Sequence, residues 1–363
     1  MPGPTVPGPS AGPTGSDRPP SGREPATPAV PGPTGSDRPP ASPAGGTGEA
    51  GEAGSRHAEL PTDAPRVGRL APLPPPRLTG ETTGLPSLRA DGGLLHGCWV
   101  AAASITGTSH LLHGTTGQDV YRYAVAHDGS GLVLVVCDGL GSRPSTAQRG
   151  AALLAAALCE EAAHLTGARM ALDPREALLG VLVAANDSVR RHRAAALREL
   201  TDSDLAATVA LCWLPLPGPE PGQDPNGTCE PGAGRSPGHA GGHVVRVGDC
   251  HAFTLTDGVY ANLFPVEEGP ANLVSGQLPS ADVLPLAEYA AFPTGGTATV
   301  ILATDGLAGD LFDSPSVRDW LAERWAVPCG GARMLDSLRY RRAGSHDDRT
   351  ALVAWPPRTD GTG

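Results

Sequence analysis

The sequence predicts a layered α+β sandwich preceded by a long coil tail, and three observations lead to this prediction. Apolar runs of strand length, rich in β-branched residues, begin only at Cys98. Two long helical patterns follow one another between the second and third runs, which simple β-α-β alternation would not produce. The chain has 49 Gly and 39 Pro among 363 residues, and the first fifty residues alone contain 14 Pro and 10 Gly, a composition typical of segments without a packed core.

Six apolar runs account for the predicted strands. They are Cys98–Ile105, Leu132–Cys137, Ala206–Leu214, Val244–Val247, Thr299–Ala303 and Ala351–Trp355. The two helices are predicted at Ser145–Leu165 and Pro174–Leu200, the second with Asp173 as its capping residue and Pro174 in its first turn. Residues 93–357 are therefore assigned to one domain, which is long enough to bury a sizeable core.

Three segments outside these elements are predicted to be disordered. Residues 1–92 form a Pro/Gly-rich tail in which GPTGSDRPP occurs at 12–20 and again at 32–40, without apolar residues that could build a repeat fold. An insert at about 216–242 is equally rich in Pro and Gly, and residues 358–363 form a short terminus. For the tail, a plain linker and a site for a proline-binding partner both remain open.

Charge and composition exclude several classes of function. The net charge is −11, which argues against nucleic acid as the main partner. The chain contains no Lys, which excludes Schiff-base chemistry, a Walker lysine and the lysine of a protein-kinase site. The seven scattered Cys form no CxxC pair and indicate reduced thiols in a cytoplasmic protein. Without an apolar leader or a membrane-length apolar stretch, neither secretion nor membrane insertion is expected.

Aspartates stand at the edges of four apolar runs. They are Asp119, Asp138 with Gly139, Asp305 with Gly306, and the pair Asp347-Asp348. A single Asp-Gly after a strand usually marks a turn. Aspartates at four such places instead predict that their side chains converge at one sheet edge. There they would form an oxygen-rich cage that suits Mg²⁺ or Mn²⁺. Two such ions can activate water and neutralise a phosphate, so phosphoester hydrolysis is the expected reaction.

The same residues resemble the metal-dependent serine/threonine phosphatases of the PPM, or type 2C, family, in the family's order and over residues 97–356. The closest likeness is to a bacterial subgroup with Ser-His before Gln-Asp and a DG-x-GS motif. The matching segments are Ser109-His110, Gln118-Asp119, Asp138–Ser142, Ala207-Thr208, Val247–Asp249, Thr304–Leu307 and Asp347–Thr350. The resemblance implies a four-layer αββα sandwich.

The resemblance also implies roles for individual residues. Asp138 would bridge two Mn²⁺ or Mg²⁺ ions, with the Gly139 carbonyl on one ion, while Asp305 and Asp348 complete the other. Gln118 offers a neutral oxygen where the family often has Glu, and Asp249 would serve a weak third ion. Asp119 would hold metal-bound waters. The catalytic set is thus Asp119, Asp138, Asp305 and Asp348, and a metal-bridged water would attack phosphoserine or phosphothreonine directly.

Several positions depart from the family pattern or have open roles. Gly114 stands where the family has a phosphate-binding Arg, and Arg143 is a hypothetical substitute. His110 either orients Asp119 or is a polar strand residue. His346, beside two carboxylates, is a candidate for acting on the leaving group.

Three functions remain open from the sequence alone. The first is a phosphatase acting on phosphorylated proteins, opposing a bacterial serine/threonine kinase. The second is a phosphatase fold that binds phosphoproteins without turnover, and the third is an adaptor that works through its Pro-rich tail. The first is favoured because clustered carboxylates repel one another and have no physical reason to persist without cations.

Overall fold

The computed structural model describes residues 64–69, 77, 86–141, 143–216, 241–265, 276–294 and 298–357. Most of the predicted tail, nearly all of the predicted insert and the predicted C-terminal segment lie outside these ranges. The strands are β1 Leu88–Leu95, β2 Cys98–Ile105, β3 Val120–Val125, β4 Gly131–Gly139, β5 Ala207–Pro215, β6 Gly241–Val247, β7 His251–Thr256, β8 Val259–Asn262, β9 Ala287–Pro293, β10 Thr299–Ala303 and β11 Arg349–Trp355.

The helices, in chain order, are α1 Thr108–His113, α2 Pro144–Ala163, α3 Gly167–Leu172, α4 Pro174–Ala196, α5 Asp305–Asp313, α6 Pro315–Trp325 and α7 Gly331–Leu338, with short 3₁₀ turns at Ser203–Leu205 and Leu284–Leu286. The two long predicted helices correspond to α2 and α4. Asp173 caps α4 as expected, since its side chain accepts a hydrogen bond of 2.9 Å from the backbone N–H of Glu176.

The strands form two antiparallel sheets that pack face to face. One sheet has the order β1-β2-β11-β10-β7-β8 and the other β3-β4-β5-β6-β9. All six predicted strands are present, with small shifts at their ends, and five further strands join them. Among the described residues, no helix is long and apolar enough to cross a membrane.

Strand β4 explains why the molecule has four layers. Successive side chains of a strand point to opposite faces of the sheet. Val133, Val135 and Cys137 pack against the helices α2 and α4, whereas Leu132 and Leu134 pack between the two sheets. Both faces of the sheet are thus covered, so the strand consists of one continuous buried apolar run.

The other sheet is covered in the same way. Its outer face, with Ile301 and Val353, packs against Leu307, Leu321 and Trp325 of the helices α5 and α6, and α7 joins the same core. The order of layers is therefore helix, sheet, sheet, helix, which confirms the predicted αββα sandwich.

The start of the domain differs from the prediction. Strand β1 begins at Leu88, so the boundary predicted at residue 93 falls inside a strand. Residues 64–69, which we call the arm, pair with the segment before β11: Arg341 N–H donates to Pro65 C=O (2.9 Å) and Ala343 N–H to Arg69 C=O (2.7 Å). Val67 is buried in the core of the six-stranded sheet. The arm is thus part of the domain although its composition resembles that of the tail.

Candidate functional site

Five aspartates meet at one end of the sandwich. Asp119 directly precedes β3, Asp138 lies near the end of β4, and Asp249 occupies the turn between β6 and β7. Asp305 follows β10 as the first residue of α5, and Asp347 lies two residues before β11. In antiparallel sheets the end of one strand lies beside the start of its neighbour, which brings these positions to the same edge. We call these five residues the acidic cluster.

The carboxyl groups of the acidic cluster act on one another electrostatically. Burial raises the pKa of Asp138 well above its ordinary value, and the charges of Asp119, Asp305, Asp347 and Asp249 raise it further. Burial, followed by the charges of Asp347 and Asp249, raises the pKa of Asp305 to about 7. Carboxylates held this close favour the protonated form unless positive charge is brought among them.

Asp119 links the two sheets through two threonines. It is 1% exposed, and its Oδ2 accepts a hydrogen bond of 2.7 Å from Thr304 Oγ1 at the end of β10. Thr304 Oγ1 accepts in turn from the Thr350 N–H of β11 at 3.1 Å. The other oxygen, Asp119 Oδ1, is buried without a well-formed hydrogen bond among the described residues. Burial is the main cause that raises the pKa of this carboxyl.

The two residues of the pair Asp347-Asp348 have different surroundings. Asp348 is 3% exposed, and its Oδ1 accepts from the N–H of Gly107 (2.6 Å) and bonds His110 Nδ1 (3.0 Å). Its Oδ2 accepts from the N–H of Gln118 at 2.5 Å. Asp347 is exposed and acts electrostatically on other members of the acidic cluster. The charge of Asp347, which the sequence analysis left out of the metal-binding set, thus acts on Asp138 and Asp305.

Asp348 is surrounded by donors that the protein itself supplies. A metal-binding role for it stays a prediction, and so does the predicted role of the Gln118 side chain, because the described contact of Gln118 at the site runs through its backbone. The structure places His110 in helix α1 and not in a strand, and its described side-chain hydrogen bond joins it to Asp348 and not to Asp119. The hydrogen bond to Asp348 raises the pKa of His110, and burial opposes that rise.

The segment Asp138-Gly139 is not the turn that its composition suggests. Both residues end strand β4, paired with Thr208 and Ala207 of β5. A Cβ on Gly139 would lie 2.4 Å from the carbonyl oxygen of Ala147 in α2. Glycine here permits the close approach of helix to strand. The predicted contact of its carbonyl with a cation stays a prediction.

The segment Asp305-Gly306 is likewise part of a regular element, the first turn of α5. A carboxylate in that position is favoured by the partial positive charge of the helix N-terminus. A Cβ on Gly306 would lie 2.2 Å from the backbone oxygen of Asp348. This glycine therefore lets the segment that carries Asp347 and Asp348 lie directly against the helix.

The sequence model of the family described as protein phosphatase 2C matches residues 106–339, well over half of the chain. This chain belongs to the protein phosphatase 2C family. Membership confirms the family inferred from the ordered motifs and the predicted enzyme class, a protein phosphatase. The αββα layers described above agree with the fold that this family implied.

Solved structures with low sequence identity resemble this type 2C protein. The catalytic domain of the serine/threonine phosphatase PstP, solved with two manganese ions, is 16% identical, with 71% of this chain and 97% of that chain covered and a TM-score of 0.48. PppA of Pseudomonas aeruginosa is 19% identical (74% and 99% covered, TM-score 0.46), and RsbX with magnesium is 13% identical (74% and 99%, 0.44). A search among curated proteins found no match.

Two positions where this type 2C chain departs from the family pattern can now be placed. Gly114, at the position of the family's phosphate-binding Arg, closes α1 with φ of 67°, a left-handed conformation that disfavours any side chain. Arg143, the hypothetical substitute, precedes α2 with a side chain that is 70% exposed and lies 3.8 Å from Asp204. No described contact joins Arg143 to the acidic cluster, and its phosphate-binding role stays a hypothesis.

An open groove of about 420 Å³ lies beside the acidic cluster. Asp305, Asp347, His346 and Arg342 are among the residues that line it. The sequence analysis did not single out Arg342. Its available signal was the concentration of arginines at 339, 341 and 342, directly before the acidic pair.

Asp310 supports the segment that carries this side of the groove. It is 2% exposed, and its Oδ2 accepts hydrogen bonds from Tyr340 Oη (2.6 Å) and Ser345 Oγ (2.7 Å). Arg349 Nε lies 3.2 Å from the same oxygen, and Arg342 Nη1 donates to Oδ1. One buried carboxylate thus connects helix α5 to the chain on both sides of the pair Asp347-Asp348.

Proposed function

We propose that this protein hydrolyses phosphoserine and phosphothreonine in phosphorylated proteins, in a reaction that depends on Mn²⁺ or Mg²⁺. The observation that carries the proposal is the acidic cluster, which brings together carboxylates from five different segments. Burial, and then the neighbouring carboxylates, raise the pKa of Asp138 and Asp305. Such an arrangement is unfavourable in the protein alone and favourable with divalent cations. Membership in the protein phosphatase 2C family supports the same reaction.

The residues at the site fit hard divalent cations. All five side chains of the acidic cluster offer carboxylate oxygens, the ligands that Mg²⁺ and Mn²⁺ prefer. His110, Asp347 and Asp348 also place potential ligand atoms within 4.8 Å of one another. Asp138, Asp305 and Asp347 would hold two ions, with Asp249 toward a weaker third. When bound, such ions neutralise charge on the phosphate and lower the pKa of a water molecule.

The protein's own side chains would orient a water molecule and protonate the leaving group. Asp119, fixed by Thr304, has one buried oxygen free of well-formed hydrogen bonds, which suits the orientation of a water molecule. His346 lies exposed in the groove beside Asp347, with Nδ1 3.2 Å from Thr108 Oγ1. In our proposal His346 supplies the proton that the leaving serine or threonine oxygen requires.

Cellular setting is part of the same proposal. The protein would act on phosphoproteins in the cytoplasm and so oppose a bacterial serine/threonine kinase. The six cysteines that the structure describes are all buried and free of disulfides, which supports a reducing compartment.

The decisive experiment measures turnover of p-nitrophenyl phosphate and of a phosphothreonine peptide by the full chain, with Mn²⁺ or with EDTA. Asp138→Asn should abolish turnover, whereas Asp319→Asn, an exposed aspartate of α6, should not change it. Binding of the phosphopeptide without turnover would instead favour a binding module. Partner capture that depended only on residues 1–63 would favour an adaptor.

A further inference from the structure

We propose that Arg342 binds the phosphate group of the substrate, in place of the arginine that is missing at Gly114. This inference rests on the proposed phosphatase function and identifies the residue that provides the positive charge at the site. Phosphate recognition in a groove lined by carboxylates requires a positively charged side chain in a fixed position. A guanidinium can hold two phosphate oxygens at once.

The position of Arg342 is the first argument. It lines the groove together with Asp305, Asp347 and His346. Among the described residues that line this groove, Arg342 is the only lysine or arginine. The groove is also lined by four carboxylates, those of Asp305, Asp310, Asp313 and Asp347. A phosphate that enters it would therefore meet one permanent positive charge, and that charge belongs to Arg342.

The second argument concerns orientation. Arg342 is 16% exposed, and its described hydrogen bond uses one nitrogen, Nη1, which donates to Asp310 Oδ1. A guanidinium has five N–H donors in a rigid plane. Asp310 therefore fixes the plane of the side chain while donors remain for a ligand in the groove. An arginine fixed in this way loses less conformational entropy on binding than a mobile one.

The third argument concerns net charge. Asp310 is shared by Arg342 and Arg349, so its single negative charge does not neutralise both arginines. Arg349 is 8% exposed and donates through Nη1 to the carbonyls of Leu338 (3.0 Å) and Tyr340 (2.8 Å). The residual positive charge of the group therefore faces the groove at Arg342.

Arg143 is the competing candidate, and the structure supports it less. It is mostly exposed and its described ion pair joins it to Asp204, outside the acidic cluster. An exposed arginine with a mobile side chain provides weaker and less specific anion binding than one held by a buried carboxylate.

The test compares four variants of the full chain: Arg342→Ala, Arg342→Lys, Arg143→Ala and Arg339→Ala. Arg339 is the matched control, because it lies three residues away and pairs with Asp336. Binding of inorganic phosphate and of a phosphothreonine peptide is measured by calorimetry with Mn²⁺ present, and KM and kcat are measured separately. The midpoint of thermal unfolding with and without Mn²⁺ reports folding and cation binding.

We expect Arg342→Ala to raise the Kd for phosphate and the KM for the phosphopeptide about 10- to 100-fold, with a smaller change in kcat. Arg342→Lys should recover part of the binding, because it keeps the charge but loses the paired donors. Neither variant should change the effect of Mn²⁺ on the unfolding midpoint. Arg143→Ala and Arg339→Ala should bind phosphate like the unmodified chain.

Normal phosphate binding by Arg342→Ala, or a loss confined to Arg143→Ala, would overturn the proposal. If Arg342→Ala does not fold, the measurements on Arg342→Lys decide the question. Unchanged Kd and KM in that variant would count against recognition of the phosphate by paired guanidinium donors. An unmodified chain that binds the phosphopeptide without turnover would refute the phosphatase function and leave the role of Arg342 measurable by binding. An unmodified chain that binds no phosphate would refute both.

Discussion

Without divalent cations, the protein should lose stability as the pH rises from about 5.5 to about 8. The reason is the acidic cluster, where the folded state holds protons that the unfolded chain releases. The pKa of Asp305 is about 7 in the folded protein, against 3.8 for an aspartate in water. Because the folded pKa is raised, the contribution of this group is fully present below pH 3.8 and is lost as the pH rises through 7.

The magnitude follows from the difference between the two pKa values. At 1.36 kcal/mol per unit, Asp305 alone accounts for about 4 kcal/mol over the whole range and about 2 kcal/mol between pH 5.5 and 8. Asp119 and Asp138, whose pKa values are also raised, act in the same direction. Saturating Mn²⁺ should remove this loss, because bound cations stabilise the ionised carboxylates.

The assay is urea unfolding in EDTA and in Mn²⁺ at the two pH values. Asp305→Asn removes the titrating group, so its metal-free stability should decrease about 2 kcal/mol less over this interval than that of the unmodified chain. Asp319→Asn, exposed on α6, is the matched control and should follow the unmodified chain. Metal-free stability that is constant or rises with pH, in a chain that still folds, would refute the reasoning.

Three further predictions concern single elements. Asp347→Asn should raise the Kd for Mn²⁺ at least about tenfold without lowering metal-free stability, as measured by calorimetry and urea unfolding; unchanged binding would contradict its place at the site. Asp310→Ala should lower the free energy of unfolding by about 3–5 kcal/mol, because it leaves buried arginine charge without its carboxylate; a loss below about 1 kcal/mol would show that the network is not needed for folding. Deletion of residues 1–85 should cost about 1.5–3 kcal/mol through the loss of buried Val67, whereas deletion of residues 1–63 should leave the urea midpoint unchanged.

The sequence predicted six of the seven interior strands and missed the edge strands, together with the interior strand β7. The interior strands β2, β4, β5, β6, β10 and β11 are buried on both faces and therefore appear as continuous apolar runs. The edge strands β1, β3, β8 and β9 have mixed exposure, and β1 contains two adjacent glycines. Their β structure depends on the neighbouring strand more than on local composition.

The convergence of aspartates could be predicted because strand ends meet in an antiparallel sheet. The different surroundings of Asp347 and Asp348 could not, because adjacent residues at a strand entry point in different directions. The network of Asp310 with Arg342 and Arg349 was also beyond prediction. Asp310 is separated from both arginines by more than thirty residues, and only tertiary structure joins them.

The position of β11 in its sheet has a consequence for biosynthesis. This strand is the last of the described strands to leave the ribosome, yet it lies between β2 and β10 and pairs with both. Until it emerges, the six-stranded sheet remains in two separate pieces, and Asp347 is missing from the acidic cluster. Non-local pairing of this kind is slow and comes late in folding. A nascent or stalled chain therefore cannot complete the acidic cluster before its synthesis has passed β11.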